Sequence, residues 1–123
     1  MGNKLASLIK ARKVFEDFRK NLTTDQNKAG AIQAFEFCFE LTWKTMQKIL
    51  QDRGVRSGSP KDVFRAAAAD GLIQNPKLWF TFVDKRNETV DTHKEEVRDD
   101  VLTIFDTFSH ELDLFIQTAE AQK

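Results

Sequence analysis

Three residues in the stretch DKRNETVDTHKEE, residues 84–96, carry side chains suited to chemistry on a phosphodiester: Arg86, Asn87 and His93. Cleaving RNA without a metal needs a base for the ribose 2′-hydroxyl proton, a cation over the phosphorane-like transition state and an acid for the leaving oxygen. Imidazole suits proton transfer because its pKa lies near neutrality. Guanidinium is always charged and grips two phosphate oxygens, and a neighbouring amide positions it or donates to phosphate. On types and spacing alone a plainer description is favoured, a helix C-terminal cap followed by an exposed loop, because Arg and His a few positions apart recur by chance in many proteins.

Helices have to carry these side chains, since strand patterns are almost absent. Leu5, Leu8, Ile9, Phe15, Phe18 and Leu22 follow three-and-four spacing and predict one helical face. Asn21 to Thr24 interrupt it, and Thr23 with Gln26 fits a capping box for the next helix. That second helix is predicted over roughly Asp25 to Arg53, with a stripe of Ile32, Phe35, Phe39, Trp43 or Met46, and Leu50. Gly54 stops it as a left-handed C-terminal residue would. Phe37, Cys38 and Leu41 widen the apolar surface beyond one stripe, which predicts a central helix or a subunit interface with Phe37 and Leu41 in it.

Ser59-Pro60 with Asp62 predicts a short third helix ended by Gly71, and Asn75-Pro76 opens a fourth with Leu78, Trp79, Phe82 and Val83 inward. A long stripe from Val97 through Val101, Ile104, Phe105, Phe108, Leu112 and Phe115 to Ala119 predicts one last helix. Short connections join these segments into an all-α, up-and-down bundle of four to five helices, one domain over residues 1–123.

No apolar run approaches the ~20 residues of a membrane span, and the N-terminus lacks a signal-peptide core, so a cytoplasmic protein is expected. Cys38 is the only cysteine and sits among Phe residues, which predicts a small packed apolar group, not a nucleophile. Residues 1–83 hold 14 Lys and Arg against 8 Asp and Glu, and residues 84–123 hold 5 against 11, so the halves carry +6 and −6. Attraction between the halves across the bundle is the favoured reading of that split, ahead of a basic face for a polyanion. Lys10, Arg12, Lys13, Arg19 and Lys20 are the cations placed to steer RNA.

No glycine-rich phosphate loop, HExxH or CxxC is present, so neither a cofactor nor a metal is expected. Asp91, His93, Glu95 and Glu96 have cation-binding side chains, but such a cluster is more often a solvated acidic helix start. Glu36, Glu40 and Lys44 follow four-residue steps along the second helix, and a carboxylate among so many Phe residues would want an arginine partner, with Arg86 a candidate. His110 is expected on an exposed face.

Two longer strings change the weighing. FEFCFELTWKTMQKILQDRG, residues 35–54, resembles the signature helix of the nucleotidyltransferase-substrate-binding proteins of the HEPN superfamily. SPKDVFRAAAADGLI and LWFTFVDKRNETVDTHKEE resemble the rest of that pattern in the same order, so the likeness spans roughly residues 5–116. The resemblance implies a bundle that forms a homodimer and partners a minimal nucleotidyltransferase. In many such pairs the bundle is a ribonuclease toxin and the nucleotidyltransferase its antitoxin.

The superfamily's catalytic motif is arginine, a polar residue and a histidine four to six residues on, completed across the dimer. Carried over, Arg86 would stabilise phosphate, Asn87 would be the polar residue and His93 the proton-transfer residue. Relatives usually read Arg-Asn-x-Thr-x-His-x-Tyr. Here Asp91 stands at the expected His and His93 at the expected Tyr. A carboxylate at 91 is a weak proton acceptor near neutrality and repels phosphate unless its pKa is raised. Some partner nucleotidyltransferases silence the toxin by attaching AMP to that Tyr, which a chain with no Tyr cannot undergo. The implied role is therefore a partner of a nucleotidyltransferase, with metal-independent RNA cleavage as the alternative.

Overall fold

The computed structural model describes residues 2–91 and 94–122. Along the chain lie α1 (Gly2–Arg19), α2 (Asp25–Asp52), α3 (Pro60–Ala69), α4 (Pro76–Glu88), a 3-10 turn (Thr89–Asp91), α5 (Glu95–Leu102) and α6 (Phe105–Ala121). This is the all-helical bundle expected, with one difference: the predicted last helix is broken into α5 and α6. The amides of Thr103 and Ile104 donate only three residues back, to the carbonyls of Asp100 and Val101 at 3.2 and 3.3 Å. The Thr103 hydroxyl adds a 2.6 Å bond to the Asp100 carbonyl. Such local bonds tighten the chain and interrupt the four-residue ladder, which a hydrophobic stripe does not report.

The helix ends follow from single residues. Gly54 has φ +81 and Gly71 φ +84, and each closes a Schellman motif. In the first, Val55 and Gly54 donate to the carbonyls of Leu50 and Gln51 at 2.8 and 3.0 Å; in the second, Leu72 and Gly71 donate to Ala67 and Ala68 at 2.9 and 3.2 Å. Ser59 caps α3 by accepting from the Asp62 amide at 3.3 Å, with Pro60 in the first turn. The cap of α2 lies one residue later than expected: Thr24, not Thr23, accepts from the Asn27 amide at 3.0 Å. Thr23 instead donates to the Asn21 side chain at 2.7 Å.

An aromatic cluster forms the core. Eight of the eleven Phe residues are buried, and the Phe108 ring lies 5.1–6.2 Å from Phe15, Phe35, Phe39, Trp79 and Phe82. One side chain of α6 therefore joins α1, α2 and α4, with each edge-to-face pair contributing about 0.5–1.5 kcal/mol beyond area burial. On α1 the buried row is Leu5, Leu8, Ala11 and Phe15. Ile9 and Phe18, expected on that face, are exposed. Ile9 falls to the rim of the row, and Phe18 lies over Gly30 of α2, where an added Cβ would come within 2.4 Å of its ring. In α2, Met46 fills the core position and Trp43 is half-buried.

The two charge halves meet as expected. Arg12 pairs with Asp113 and Arg19 with Asp106, both at 2.7 Å; Lys28 reaches Asp99 at 3.6 Å and Lys61 reaches Asp84 at 3.3 Å. At one end of the bundle Arg53 bonds Asp70 after α3 and Gln122 after α6, joining three helix ends.

Candidate functional site

The last turn of α4 carries the candidate cation. Trp79, Phe82, Val83 and Arg86 follow three-and-four spacing, so Arg86 continues the core-facing row of α4 to its end. Its side chain is half-buried, and Asn87, turned about 100° further round the helix, is exposed. No ion pair joins Arg86 to another described side chain. Its carbonyl accepts from both the amide and the hydroxyl of the buried Thr89, the latter at 2.6 Å, which closes the helix into the 3-10 turn.

Lys85, one residue earlier, faces α5. Its ammonium donates to Asp100 at 2.5 Å and reaches Glu88 at 3.3 Å. The hydrogen bond to Asp100 holds the Lys85 pKa above its ordinary value, opposed by burial and assisted by Glu88. The same bond holds Asp100 below the ordinary carboxylate value. Sequence reasoning missed this pair. Asp100 reads as one more charge on an acidic helix start, and only folding brings it across to Lys85.

The Asp91 side chain and His93 lie outside the described residues, so the spacing of His93 from Arg86 stands as a reading of the sequence. Glu40 does not meet Arg86. It pairs with Lys44 at 3.4 Å and accepts from the Trp43 indole at 3.2 Å, the near-neighbour contacts that helical spacing makes cheapest. Leu41 is half-buried and Phe37 is 62% exposed. Phe37 lies two turns beyond Gly30 on the same side of α2, and Val14 lies one turn before Phe18 on α1, so exposed apolar side chains line the outer surface of the α1–α2 pair.

Cys38 is fully buried, and burial pushes its thiol up to about 12 despite the Thr42 hydroxyl, so it is a protonated packing group. His110 is exposed on α6. Glu95 and Glu96 are exposed in the first turn of α5, an acidic helix start, and among the described residues no three His, Cys, Asp or Glu side chains gather as metal ligands do. Of the five candidate cations Lys10, Arg12, Lys13, Arg19 and Lys20, Arg12 and Arg19 pair with α6, and Lys13 and Lys20 reach Asp17 at 3.9 Å. No described helix is long and apolar enough to cross a membrane.

Comparison with known proteins agrees with this architecture. The family described as "Nucleotidyltransferase substrate binding protein like" matches residues 3–121. A Haemophilus influenzae protein named "Probable ribonuclease HepT" is 35% identical over 85 residues, which cover 65% of this chain and 58% of that protein's length. A Thermus thermophilus crystal structure superposes with a TM-score of 0.85 at 26% identity, covering 89% of this chain and 96% of that one. A Haemophilus influenzae structure, described as revealing the fold of a substrate binding domain of a nucleotidyltransferase, gives 0.81 at 29% identity, covering 92% and 96%. A tri-AMPylated Shewanella oneidensis HEPN toxin in complex with an MNT antitoxin gives 0.79 at 19% identity, covering 97% and 95%, and that likeness is one of fold alone.

Proposed function

The chain belongs to the nucleotidyltransferase substrate binding protein-like family, and on that premise we propose that it is the helical partner of a minimal nucleotidyltransferase. In this reading one unit over residues 1–123 pairs with a second copy in the cytoplasm. Arg86 and Asn87 of each protomer, with His93, line the cleft between them. The observation that carries the reading is the placement of Arg86: a half-buried cation at the end of a core-facing row, beside an exposed amide, with no described side chain neutralising it. Such a guanidinium suits a phosphate, whether of a nucleotide or of RNA. The Haemophilus structure described as a nucleotidyltransferase's substrate binding domain supports the partner.

The second reading, a metal-independent endoribonuclease of a toxin–antitoxin pair, is favoured by the relative named as a ribonuclease. Chemistry ranks it second. Asp91 occupies the position where relatives carry the histidine, which leaves the proton transfer to the displaced His93. With no Tyr in the chain, the nucleotidyltransferase would restrain such a nuclease without AMP on tyrosine.

One experiment separates the readings. The chain is purified alone and together with the product of the neighbouring gene, and each preparation is incubated with RNA in EDTA. Stable association with a nucleotidyltransferase and no cleavage is the expected result. Cleavage leaving cyclic phosphate ends, abolished by His93→Ala, would replace it with the nuclease reading. A strict monomer by light scattering, with no nucleotidyltransferase bound, would refute both. Phe37→Glu tests the interface: placing a charge on the exposed α2 surface should leave folding intact and split the dimer.

A further inference from the structure

α5 is only eight residues long and buries one side chain fully, Val101. Leu102 packs against the core beside it, and a helix of this length is marginal on its own hydrogen bonds. Three successive charges also tie it to its neighbours. Arg98 donates to Asp25 at the start of α2 at 3.1 Å, Asp99 lies 3.6 Å from Lys28 on α2, and Asp100 accepts from Lys85 on α4 at 2.5 Å. The side chains of Arg98 and Lys85 keep only 15% and 21% of their surface exposed, so both cations are ordered against the bundle. The Lys85–Asp100 bond also closes the chain on itself, joining the last turn of α4 to α5 across the connection that follows Arg86 and Asn87.

We propose that Lys85 and Asp100 are a positioning pair for Arg86, an inference that rests on the reading of Arg86 as the phosphate-binding residue. A last helical turn has lost half its backbone bonds and frays unless it is tied down. Lys85 and Arg86 are about 100° apart around the helix, so Lys85 is held by α5 while Arg86 faces along the core row. The tether fixes the rotation of that turn and therefore the direction of the guanidinium. Orientation of this kind matters because a misplacement of about 1 Å at a phosphate-gripping residue can cost on the order of a hundredfold in rate.

Asp100→Asn removes the charge at constant size, and Asp113→Asn does the same to the 2.7 Å Arg12–Asp113 pair as a control. These variants, Asp100→Glu and Arg86→Ala are compared by RNA turnover in EDTA, by anisotropy of a labelled uridine oligonucleotide, and by hydrogen exchange over residues 80–90. Asp100→Asn should lower turnover, or oligonucleotide affinity where no turnover exists, by about tenfold. Exchange in the last turn of α4 should rise, Asp100→Glu should recover most of the loss, and Asp113→Asn should do none of this. Wild-type behaviour of Asp100→Asn where Arg86→Ala is defective would overturn the positioning role and leave the reading of Arg86 intact. If Arg86→Ala changes neither cleavage nor oligonucleotide binding, the reading of Arg86 fails and exchange decides: a rise confined to Asp100→Asn upholds the tether, and equal exchange in the two Asn variants overturns it.

Discussion

Removing the Arg86 side chain should cost far more function than stability, and the structure sets both sizes. Arg86 makes no ion pair with a described side chain, so its contribution to folding has two parts. A cation in the last turn of a helix is worth about 0.3–1 kcal/mol against the helix dipole. The half-buried stem adds roughly another 1 kcal/mol by covering apolar surface at the end of the Trp79–Phe82–Val83 row. For a chain of 123 residues this amounts to a fall in Tm of roughly 5–8 °C in Arg86→Ala. If the guanidinium meets a charged phosphate oxygen, its loss costs on the order of 10²–10³ in phosphate binding or turnover. Arg86→Lys separates the parts, because it keeps charge and stem but loses the planar fork: Tm should stay near wild type while activity still falls at least about tenfold. Thermal melts run beside the RNA and oligonucleotide assays read both axes. A Tm loss above about 15 °C in Arg86→Ala would mean that the residue is a buried strut, and full activity in Arg86→Lys would refute two-point phosphate recognition.

Phe108→Ala removes the ring shared by α1, α2, α4 and α6 and should destabilise by about 3–5 kcal/mol in urea unfolding. The Lys85–Asp100 contribution should be fully present between the ordinary values 3.8 and 10.5 of the two groups. It should be lost below that window, as pH falls through the lowered Asp100 value, and above it, as pH rises through the raised Lys85 value, so the urea midpoints of wild type and Asp100→Asn should converge only at those extremes. Oligonucleotide binding should depend weakly on salt, with a log–log slope near −1.4 for roughly two phosphate contacts per dimer. A slope steeper than about −4 would show that the cations of α1 leave their carboxylate partners to bind RNA.

Most of the architecture was legible because it depends on short-range rules. Gly54 and Gly71 announce left-handed caps, Ser59-Pro60 announces a helix start, and three-and-four spacing finds Phe35, Phe39, Trp79 and Phe82. The misses lie where two local solutions compete or where a partner is distant in the chain. Thr23 and Thr24 are equally able to cap α2, and geometry selects Thr24. Phe18 belongs to the apolar row by type, but the missing side chain at Gly30 draws it onto the flank of α2. The break at Thr103 rests on short local bonds from two amides and a hydroxyl, and the Lys85–Asp100 bond spans fifteen residues of chain. Arg86 and Asn87 were legible as candidates and as a helix C-terminal end, which is where they lie, in the last turn of α4.

The signature strings divide on the structure in a way that bears on function. In residues 35–54, Phe35, Cys38, Phe39, Thr42, Met46 and Leu50 are buried, and Gly54 closes a Schellman motif. Ser59 and Pro60 start α3, Gly71 ends it, and Trp79 and Phe82 fill the core. Each of those residues is accounted for by folding, so their presence argues for the bundle and is silent on its chemistry. Phe37, Lys44 and Asn87 are exposed, while Glu36 and Arg86 are half-buried with no described partner that folding requires. A polar or apolar side chain kept at a surface position without a packing role is what an interface or a ligand would use. Three of these positions lie on α2 and two on the last turn of α4, helices that pack against each other. In the proposed function a second copy together with a nucleotidyltransferase would cover such positions, and the Phe37→Glu and Arg86→Ala variants test the two helices separately.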